Sequence, residues 1–311
     1  MSETVLICGH KNPDNDSICA AIAAAYIANT QNAAAQDVEY KAVRLGALPA
    51  ESAWLINEFG LKEPELIESV AEGQKLILVD HNEPRQAVDG MPGAALLAVV
   101  DHHALAGLST SAPVRYTNLP VGSTCTVLTR EMLNMGMEIP ANIAACLLSA
   151  ILTDTVIMKS PTTTDLDREY VAMLAGIANV DPVAFGKQLF NCRGNAADLP
   201  VASIIGADAK EFELKTGVCY IAQYETVDLQ SILGREAEIR QAMAEMVAQK
   251  GYQFFLFLAT DILEEGSQFI CEGDTAFVSE VFGVDLNDGN TAWMPGVLSR
   301  KKQVAAPILA K

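Results

Sequence analysis

The sequence predicts an α/β protein, with a mainly parallel, helix-flanked sheet in its first 190 residues and a smaller α+β domain after it. Three observations lead to this prediction. Short apolar runs alternate with amphipathic stretches in the N-terminal part, as in chains that form parallel strands through crossover helices. The segment 193–200 contains Gly, Asn, Asp and Pro without periodicity, which indicates a linker. Beyond it the order of elements changes, and strand patterns flank one long helical pattern.

The N-terminal elements follow from their patterns in chain order. Strands in a sheet that is covered on both faces are nearly continuous apolar runs. Such runs predict strands over Thr4–Cys8, Lys75–Val79 and Ala95–Val100, and the segment Val38–Leu45 is strand-like. Amphipathic stretches predict helices through Ala20–Tyr26 and over Ser52–Phe59, Gly122–Met135, Ile139–Thr153, Thr164–Ala178 and Pro182–Asn191.

The C-terminal part carries fewer and differently ordered elements. Apolar runs predict strands over Val218–Gln223, Gln253–Ala259, Phe269–Cys271 and Ala292–Leu298. Between the first two, Leu229–Lys250 has the pattern of one long helix, which Asp228 caps and Gly251 ends.

Composition limits the function classes. The chain has 311 residues, of which 50% are hydrophobic, so it is long enough for a large core and for two domains. Its 21 basic and 39 acidic residues give a formal charge of −18. Broad attraction to nucleic acid or to anionic lipid is therefore not expected. Any bound anion needs a local positive source.

The cysteines and the N-terminus indicate a reducing cytoplasm. The seven cysteines are widely spread, with no CxxC pair, and most lie in apolar runs, as buried small hydrophobes do. The start MSETVLICGH lacks a basic segment before its apolar run, so no signal peptide is expected. The longest apolar stretch, Ile143–Leu152, falls short of the ~20 residues that a membrane span needs.

The four histidines of the chain all follow predicted strands, and each has an Asp within four residues. They are His10, His81, His102 and His103. Ligands of open α/β sheets bind beyond the carboxyl ends of the strands. We therefore expect these side chains to meet at one edge of the sheet.

Aspartates accompany these histidines and predict a two-metal site. They are Asp14, Asp16, Asp80, Asp101 and, in the segment LTDT, Asp154. Imidazole with several carboxylates suits Mn²⁺, Co²⁺, Fe²⁺ or Zn²⁺ better than Ca²⁺ or Mg²⁺ alone. Four carboxylates offset the charge of two divalent ions, which activate water for attack on phosphorus. Alternatives remain for some members: Asp14 or Asp16 caps the following helix, and His81 and Asp101 orient ligands rather than bind metal.

Positive side chains are scarce, and the densest run is Ser299–Lys302. It is either a solvated strand end or a phosphate clamp in which Arg300 and Lys301 bind anionic oxygens. Lys210 is a further candidate for this clamp. The turn at Gly122-Ser123-Thr124 offers backbone donors to a phosphate or forms an ordinary helix N-cap.

Taken together, these segments resemble a family II inorganic pyrophosphatase of the DHH phosphoesterase superfamily. The resemblance spans the chain through the ordered motifs GHKNPDNDS, LVDHNE, VDHHAL, GST, LTDT and VLSRKKQ. It implies an N-terminal DHH catalytic domain over 1–192, a linker over 193–200 and a DHHA2 substrate-binding domain over 201–311. It also implies a site in the cleft between the two domains, a homodimer, two Mn²⁺ per subunit with Co²⁺ as a substitute, and Mg²⁺ that accompanies the substrate.

The same resemblance assigns roles to individual residues. It implies that His10 and Asp14 bind one metal, that Asp16, His102 and Asp154 bind the other, and that Asp80 bridges the two. The implied ligands of pyrophosphate are His103, Lys210, Arg300 and Lys301. The implied reaction is hydrolysis of pyrophosphate to two phosphates by a hydroxide between the metals. One departure is Asn15, where family members often carry Thr, and its side chain is expected to point away from Asp14 and Asp16.

Other functions remain as alternatives. A DHH nuclease carries a GGGH-type loop, whereas this chain contains no Gly-Gly pair. A short-chain exopolyphosphatase could share the SRKKQ-type clamp. From a different class, an inactive sensor would bind metal or phosphate without turnover.

Overall fold

The computed structural model describes residues 3–33, 37–105, 107–192, 196–286 and 289–311. It divides into two compact units, unit 1 (Met1–Arg193) and unit 2 (Gly194–Lys311). The predicted linker begins with residues 193–195, which lie outside the described residues. Ala196, later in the same segment, is already buried in the apolar core of unit 2.

Unit 1 is built on a parallel sheet. Among its described residues, the strands are β1 (Glu3–Lys11), β2 (Val38–Leu45), β3 (Glu65–Leu66), β4 (Lys75–Val79), β5 (Ala95–Asp101) and β6 (Arg115–Asn118). Their order in the sheet is β3-β2-β1-β4-β5-β6, and every neighbouring pair is parallel. This confirms the predicted fold class and places β1, β4 and β5 side by side at the centre.

The helices of unit 1 lie close to their predicted positions. Those described are α1 (Asn15–Gln31), α2 (Ala50–Glu58), α3 (Thr124–Asn134), α4 (Ala141–Asp154), α5 (Asp165–Ala178) and α6 (Pro182–Cys192). Helix α4 is buried along nearly its whole length, because its sequence carries no charged side chain before Asp154. It packs against α1, which is rich in buried alanines that allow close approach.

Unit 2 contains a mixed sheet. Its described strands are β7 (Ala209–Leu214), β8 (Gly217–Thr226), β9 (Phe254–Asp261), β10 (Gly266–Gly273) and β11 (Thr291–Pro295). The order is β11-β10-β9-β8-β7, in which only the described pair β8–β9 is parallel. The central strand β9 is buried at all eight positions. Its alternate residues enter two separate apolar clusters, and this explains its unbroken apolar sequence.

The described helices of unit 2 correct one prediction. They are α7 (Val201–Ile205), α8 (Leu229–Leu233), α9 (Glu236–Lys250), α10 (Thr275–Phe282) and α11 (Ala306–Ala310), with a π-helical segment over Arg300–Ala305. The predicted single helix over Leu229–Lys250 is wrong, since it breaks at Gly234, a poor helix former. The Arg235 guanidinium, which donates to the carbonyls of Ala196 and Leu199, anchors the break. The predicted cap at Asp228 and stop at Gly251 are confirmed.

Two further observations concern the whole described chain. No helix in these ranges combines the length and apolarity needed to cross a bilayer. All seven cysteines lie in the described ranges, where each is a free thiol and all but Cys192 are buried.

Candidate metal centre

Side chains from neighbouring parallel strands meet at the carboxyl edge of the unit 1 sheet. His10 lies near the end of β1, Asp80 directly follows β4, and His102 directly follows β5. Since β1, β4 and β5 are adjacent, these residues leave the sheet side by side, where ligands of open parallel sheets bind. A cavity of about 250 Å³ opens beside His10, Asp80 and His103.

One group of potential ligands consists of His10, Asp14 and Asp80. The Nε2 atom of His10 lies 3.5 Å from Oδ2 of Asp14 and 3.5 Å from Oδ2 of Asp80. The other oxygen of Asp14, Oδ1, accepts a 2.9 Å hydrogen bond from the backbone N–H of Ser17. Asp14 therefore caps α1 with one oxygen, which confirms the capping interpretation, and faces His10 with the other, so its role as a metal ligand stays a prediction.

A second group consists of Asp16, His102 and Asp154. The Nε2 atom of His102 lies 4.0 Å from Oδ2 of Asp16 and 3.9 Å from Oδ2 of Asp154. Within each group, the potential ligand atoms all lie within 4.8 Å of one another.

Asp80 lies between the two groups. Its Oδ2 approaches His10, as given above, and its Oδ1 lies 3.5 Å from Nε2 of His102. It is 1% exposed, and its Oδ2 has no hydrogen-bond partner among the described residues. An unpaired buried carboxylate oxygen is costly unless a cation compensates it. The donor set of the two groups fits divalent metal ions.

The backbone at Asp80 is also unusual. Its φ of 61° lies in the left-handed region, which Asp and Asn tolerate better than most residues. The Asp80 N–H donates to the carbonyl of Val100 at 2.9 Å. This turn directs the carboxylate away from the strand axis and toward the two histidines.

The electrostatics of the site show an excess of negative charge. Burial and the neighbouring Asp16 carboxylate raise the pKa of Asp80 well above its usual value. The same two causes raise the pKa of Asp154. Burial lowers the pKa of His10, but the carboxylates of Asp14 and Asp80 outweigh that effect and raise it to about 11. The clustered carboxylates thus attract positive charge, as a metal site does.

Backbone carbonyls fix which ring nitrogen of each histidine faces the carboxylates. The Nδ1 of His10 lies 2.9 Å from the Lys11 carbonyl, and the Nδ1 of His102 lies 3.0 Å from the Val121 carbonyl. A carbonyl only accepts, so Nδ1 carries the proton in both neutral rings. The lone pair of Nε2 is then available to a metal ion.

The N-terminus of α3 binds Asp16. The backbone N–H of Thr124 donates to Oδ2 of Asp16 at 2.6 Å, while the N–H of Cys125 and the hydroxyl of Ser123 donate to its Oδ1. The Thr124 hydroxyl also donates to Oδ1 of Asp80 at 2.9 Å. For the Gly122-Ser123-Thr124 turn the sequence left a phosphate site and an ordinary N-cap as alternatives. The N-cap is confirmed, since Ser123 caps α3 and its hydroxyl accepts from the Cys125 N–H. The donors of Ser123 and Thr124 also hold carboxylates of the site.

Asp101 orients the more exposed histidine. Its Oδ1 accepts from Nδ1 of His103 at 2.9 Å and from two backbone N–H groups, and Asn82 donates to its Oδ2. The hydrogen bond to Asp101 raises the pKa of His103. The side chain of His103 is 53% exposed, so its ring can reach a ligand. His81 instead is 3% exposed, and its Nδ1 donates to the Val79 carbonyl at 2.9 Å.

Sequence reasoning missed Asp167, which supports the turn that binds Asp16. This fully buried carboxylate accepts from the Gly122 N–H at 2.9 Å and from the Thr126 hydroxyl at 2.6 Å. It also accepts from the N–H and the hydroxyl of Thr164 in a capping box at the start of α5. The pattern Thr164-x-x-Asp167 is the sequence signal that could have identified it.

The predicted phosphate ligands of the C-terminal part lie in unit 2. Lys210 is exposed on β7, and Lys301 is exposed in the π-helical segment that begins at Arg300. The Arg300 guanidinium forms a two-point hydrogen bond with Asp208. The side chain of Lys302 lies outside the described residues.

A parallel sheet with a carboxylate–histidine cluster at its edge, followed by a mixed-sheet unit, defines a two-domain class of metal-binding protein. Family models agree with this class. The DHH family N-terminal domain matches residues 4–151, and the DHHA2 domain matches residues 187–311.

Individual relatives define the family. A protein of Archaeoglobus fulgidus named "Probable manganese-dependent inorganic pyrophosphatase" is 40% identical over 99% of this chain and 98% of its own length. The manganese-dependent inorganic pyrophosphatase of Methanocaldococcus jannaschii is 37% identical over 97% of each chain. A crystal structure assigned to family II inorganic pyrophosphatases, from Methanococcus jannaschii, superposes with a TM-score of 0.59 at 36% identity, covering 100% of this chain and 99% of that one. The chain belongs to the family of manganese-dependent, family II inorganic pyrophosphatases.

Proposed function

We propose that this protein hydrolyses inorganic pyrophosphate to two phosphates at the metal centre of unit 1. The observation that carries the proposal is the position of Asp80. One of its oxygens faces the His10 group and the other faces His102, so one carboxylate is shared by two ligand sets. Full-length relatives at about 40% identity carry the name of this activity.

The metals proposed are two Mn²⁺ per subunit, with Co²⁺ as a substitute. His10 and Asp14 would hold one ion, Asp16, His102 and Asp154 would hold the other, and Asp80 would bridge them. The grouping of these atoms and the name of the relatives support this assignment. When bound, two such ions lower the pKa of a coordinated water and neutralise phosphate oxygens. Mg²⁺ would enter with the substrate.

The chain's own residues would position the substrate and stabilise its charge. Asp101 orients His103, so that the free edge of the ring can donate to a phosphate oxygen. Lys210, Arg300 and Lys301 would supply positive charge to the leaving phosphate without a covalent intermediate. In this scheme residues 1–192 form the catalytic domain, 193–200 the linker and 201–311 the substrate-binding domain.

The state of the protein in the cell follows from the same resemblance. We infer a cytoplasmic homodimer, and seven free thiols are consistent with a reducing compartment. Light scattering of the purified protein would measure its mass, and a monomeric mass at working concentration would contradict the dimer.

The decisive experiment compares substrates. We expect chelator-treated protein to be inert, and protein restored with Mn²⁺ to release phosphate from pyrophosphate faster by orders of magnitude than from tripolyphosphate, ATP or a short oligonucleotide. The reason is that two metals and a few cationic side chains suit a compact, highly charged diphosphate. The predicted motifs contain no aromatic cluster on which a base could stack.

Each other outcome favours a different function. Faster hydrolysis of tripolyphosphate would indicate an exopolyphosphatase, and faster cleavage of the oligonucleotide would indicate a phosphodiesterase. Bound manganese without any hydrolysis would favour an inactive protein that senses metal or phosphate.

A second expected result separates substrate binding from metal binding. Arg300→Ala should retain the manganese of the wild type, because Arg300 lies in unit 2 and the metal ligands lie in unit 1. Loss of a charge-assisted contact of about 1.5–3 kcal/mol should lower kcat/KM by roughly tenfold or more. Metal analysis with steady-state kinetics measures both quantities. Unchanged kinetics would assign the Ser299–Lys302 run to a solvated surface.

A further inference from the structure

The side chain of Arg300 is held by Asp208, a residue that none of the family motifs quoted above contains. Oδ2 of Asp208 accepts from Nε of Arg300 at 3.1 Å, and its Oδ1 accepts from Nη2 at 2.8 Å. The Arg300 side chain is only 12% exposed, whereas that of Asp208 is 65% exposed. The guanidinium is thus packed into unit 2 with its plane set by a surface carboxylate.

The backbone of Arg300 is fixed as well. Its N–H donates to Oε1 of Gln223 at 2.9 Å. The buried Gln223 amide in turn donates to the Thr260 hydroxyl at 2.9 Å and to the Leu298 carbonyl at 3.0 Å. The Gln223 N–H also donates to the Asp208 carbonyl. One connected network on β8 and β9 therefore holds both the main chain and the side chain of Arg300.

The geometry of the pair leaves the guanidinium suited to a second anion. Guanidinium has five N–H donors in a rigid plane, and Asp208 engages the edge formed by Nε and Nη2. The other edge, formed by Nη1 and Nη2, has the same two-donor spacing and matches a phosphate. Because the plane is rigid, fixing one edge also fixes the direction of the other.

We propose that Asp208 is a positioning residue that orients Arg300 to receive a phosphate group of the substrate. This inference rests on the proposed function, because it takes Arg300 as a ligand of pyrophosphate. Asp208 itself does not touch the substrate and acts only through Arg300.

Simple electrostatics makes the opposite prediction, and this makes the proposal testable. A carboxylate near an anionic substrate repels it, so removing the negative charge should strengthen substrate binding if Asp208 had no positioning role. If Asp208 orients Arg300, removing it should weaken binding despite the loss of repulsion. The two effects differ in sign.

The test variant is Asp208→Asn. Asp208 has a φ of 29°, on the left-handed side that Asn tolerates, so the backbone is kept while the charge and one of the two acceptors are lost. We expect kcat/KM for pyrophosphate to fall about tenfold, the size of one charge-assisted contact. Bound manganese should remain at the wild-type level. The matched control is Glu213→Gln, which removes an exposed charge from β7 and should leave kcat/KM within about twofold of the wild type.

A double-mutant cycle assigns the effect to Arg300. In the Arg300→Ala background, Asp208→Asn should change kcat/KM less than twofold, because the group that Asp208 positions is gone. A fall of equal size in both backgrounds would overturn the proposal. So would an unchanged or raised kcat/KM in the single variant.

Binding of inorganic phosphate to the manganese-loaded protein, measured by calorimetry, distinguishes this proposal from the proposed function. If the wild type binds phosphate but does not hydrolyse pyrophosphate, the proposed function fails while weaker phosphate binding by Asp208→Asn still supports the positioning role. Equal phosphate affinity in the two proteins overturns the positioning role alone. A wild type that neither hydrolyses pyrophosphate nor binds phosphate overturns both.

Discussion

Asp80→Asn is expected to lose more manganese on dialysis than Asp154→Asn, and to lose activity by more than about 100-fold. Even partners that only support metal ligands cost 10–100-fold when they are removed, and in the proposed site Asp80 would contact both ions. Asp154 belongs to one ligand group only, so its loss should chiefly empty one position. Metal analysis after dialysis, together with kcat/KM, measures the difference.

The choice of Asn keeps this comparison free of folding effects. Asn tolerates the φ of 61° at position 80, whereas Ala would add backbone strain. Replacing one carboxylate in a crowded acidic cluster also relieves repulsion, so the metal-free variant should unfold at no lower temperature than the metal-free wild type. Equal manganese retention by the two variants would contradict the bridging position of Asp80.

Asp167→Ala is expected to lower the free energy of unfolding of unit 1 by about 3–4 kcal/mol, since two backbone N–H groups and two hydroxyls lose a buried acceptor. The hydrogen bond from the Gly122 N–H to Asp167 is buried, and an alanine at position 167 offers no acceptor in its place. The same change should weaken manganese binding, because the turn that holds Asp16 loses its support. Denaturant unfolding and metal titration measure the two effects.

The control for this variant is Asp165→Ala in the first turn of the same helix. Asp165 is exposed, so its replacement should cost less than about 1 kcal/mol through the helix dipole. A destabilisation of similar size in both variants would mean that the buried hydrogen bonds of Asp167 contribute little.

The central parallel strands could be predicted because burial on both faces leaves a nearly continuous apolar pattern, and the predicted bounds of Lys75–Val79 match the structure. The bounds of Val38–Leu45 match as well, although only Val43 of that strand is buried. The edge strands β3 and β6 were missed, since each is short and has no buried residue and so lacks that pattern. The helix break at Gly234 was missed because apolar residues on its two sides, Ile232 and Ile239, face one core and preserve the helical period.

In the candidate site, too, some residues could be predicted from the sequence and others could not. Residues such as His10 and Asp80 could be predicted, because His and Asp are common metal ligands and here they cluster directly after predicted strands. Asp208 and Gln223 could not be found, since an Asp in a turn and a Gln in a strand carry no local signal. Their role depends on a partner that is 77 residues from Gln223 and 92 residues from Asp208 along the chain, Arg300.

Asn15, which lies between Asp14 and Asp16, bears on how the protein discriminates between metal ions. Its buried amide donates to the hydroxyls of Ser149 and Thr153 on α4, next to Asp154. Its carbonyl oxygen accepts from the Ser52 hydroxyl on α2 at 2.9 Å. The start of α1 and the end of α4 are thereby tied directly to each other, which restrains the separation of the carboxylates they carry.

At the metal site proposed here, such a frame would hold the carboxylates of Asp16 and Asp154 at a set distance. Among divalent first-row metals Mn²⁺ forms the weakest complexes, so by affinity alone the site would bind Cu²⁺ or Zn²⁺ in preference to Mn²⁺. A set distance between these carboxylates would add a geometric preference to the order of affinities. Discrimination would then depend on three hydrogen bonds made by a residue that is not itself placed among the metal ligands.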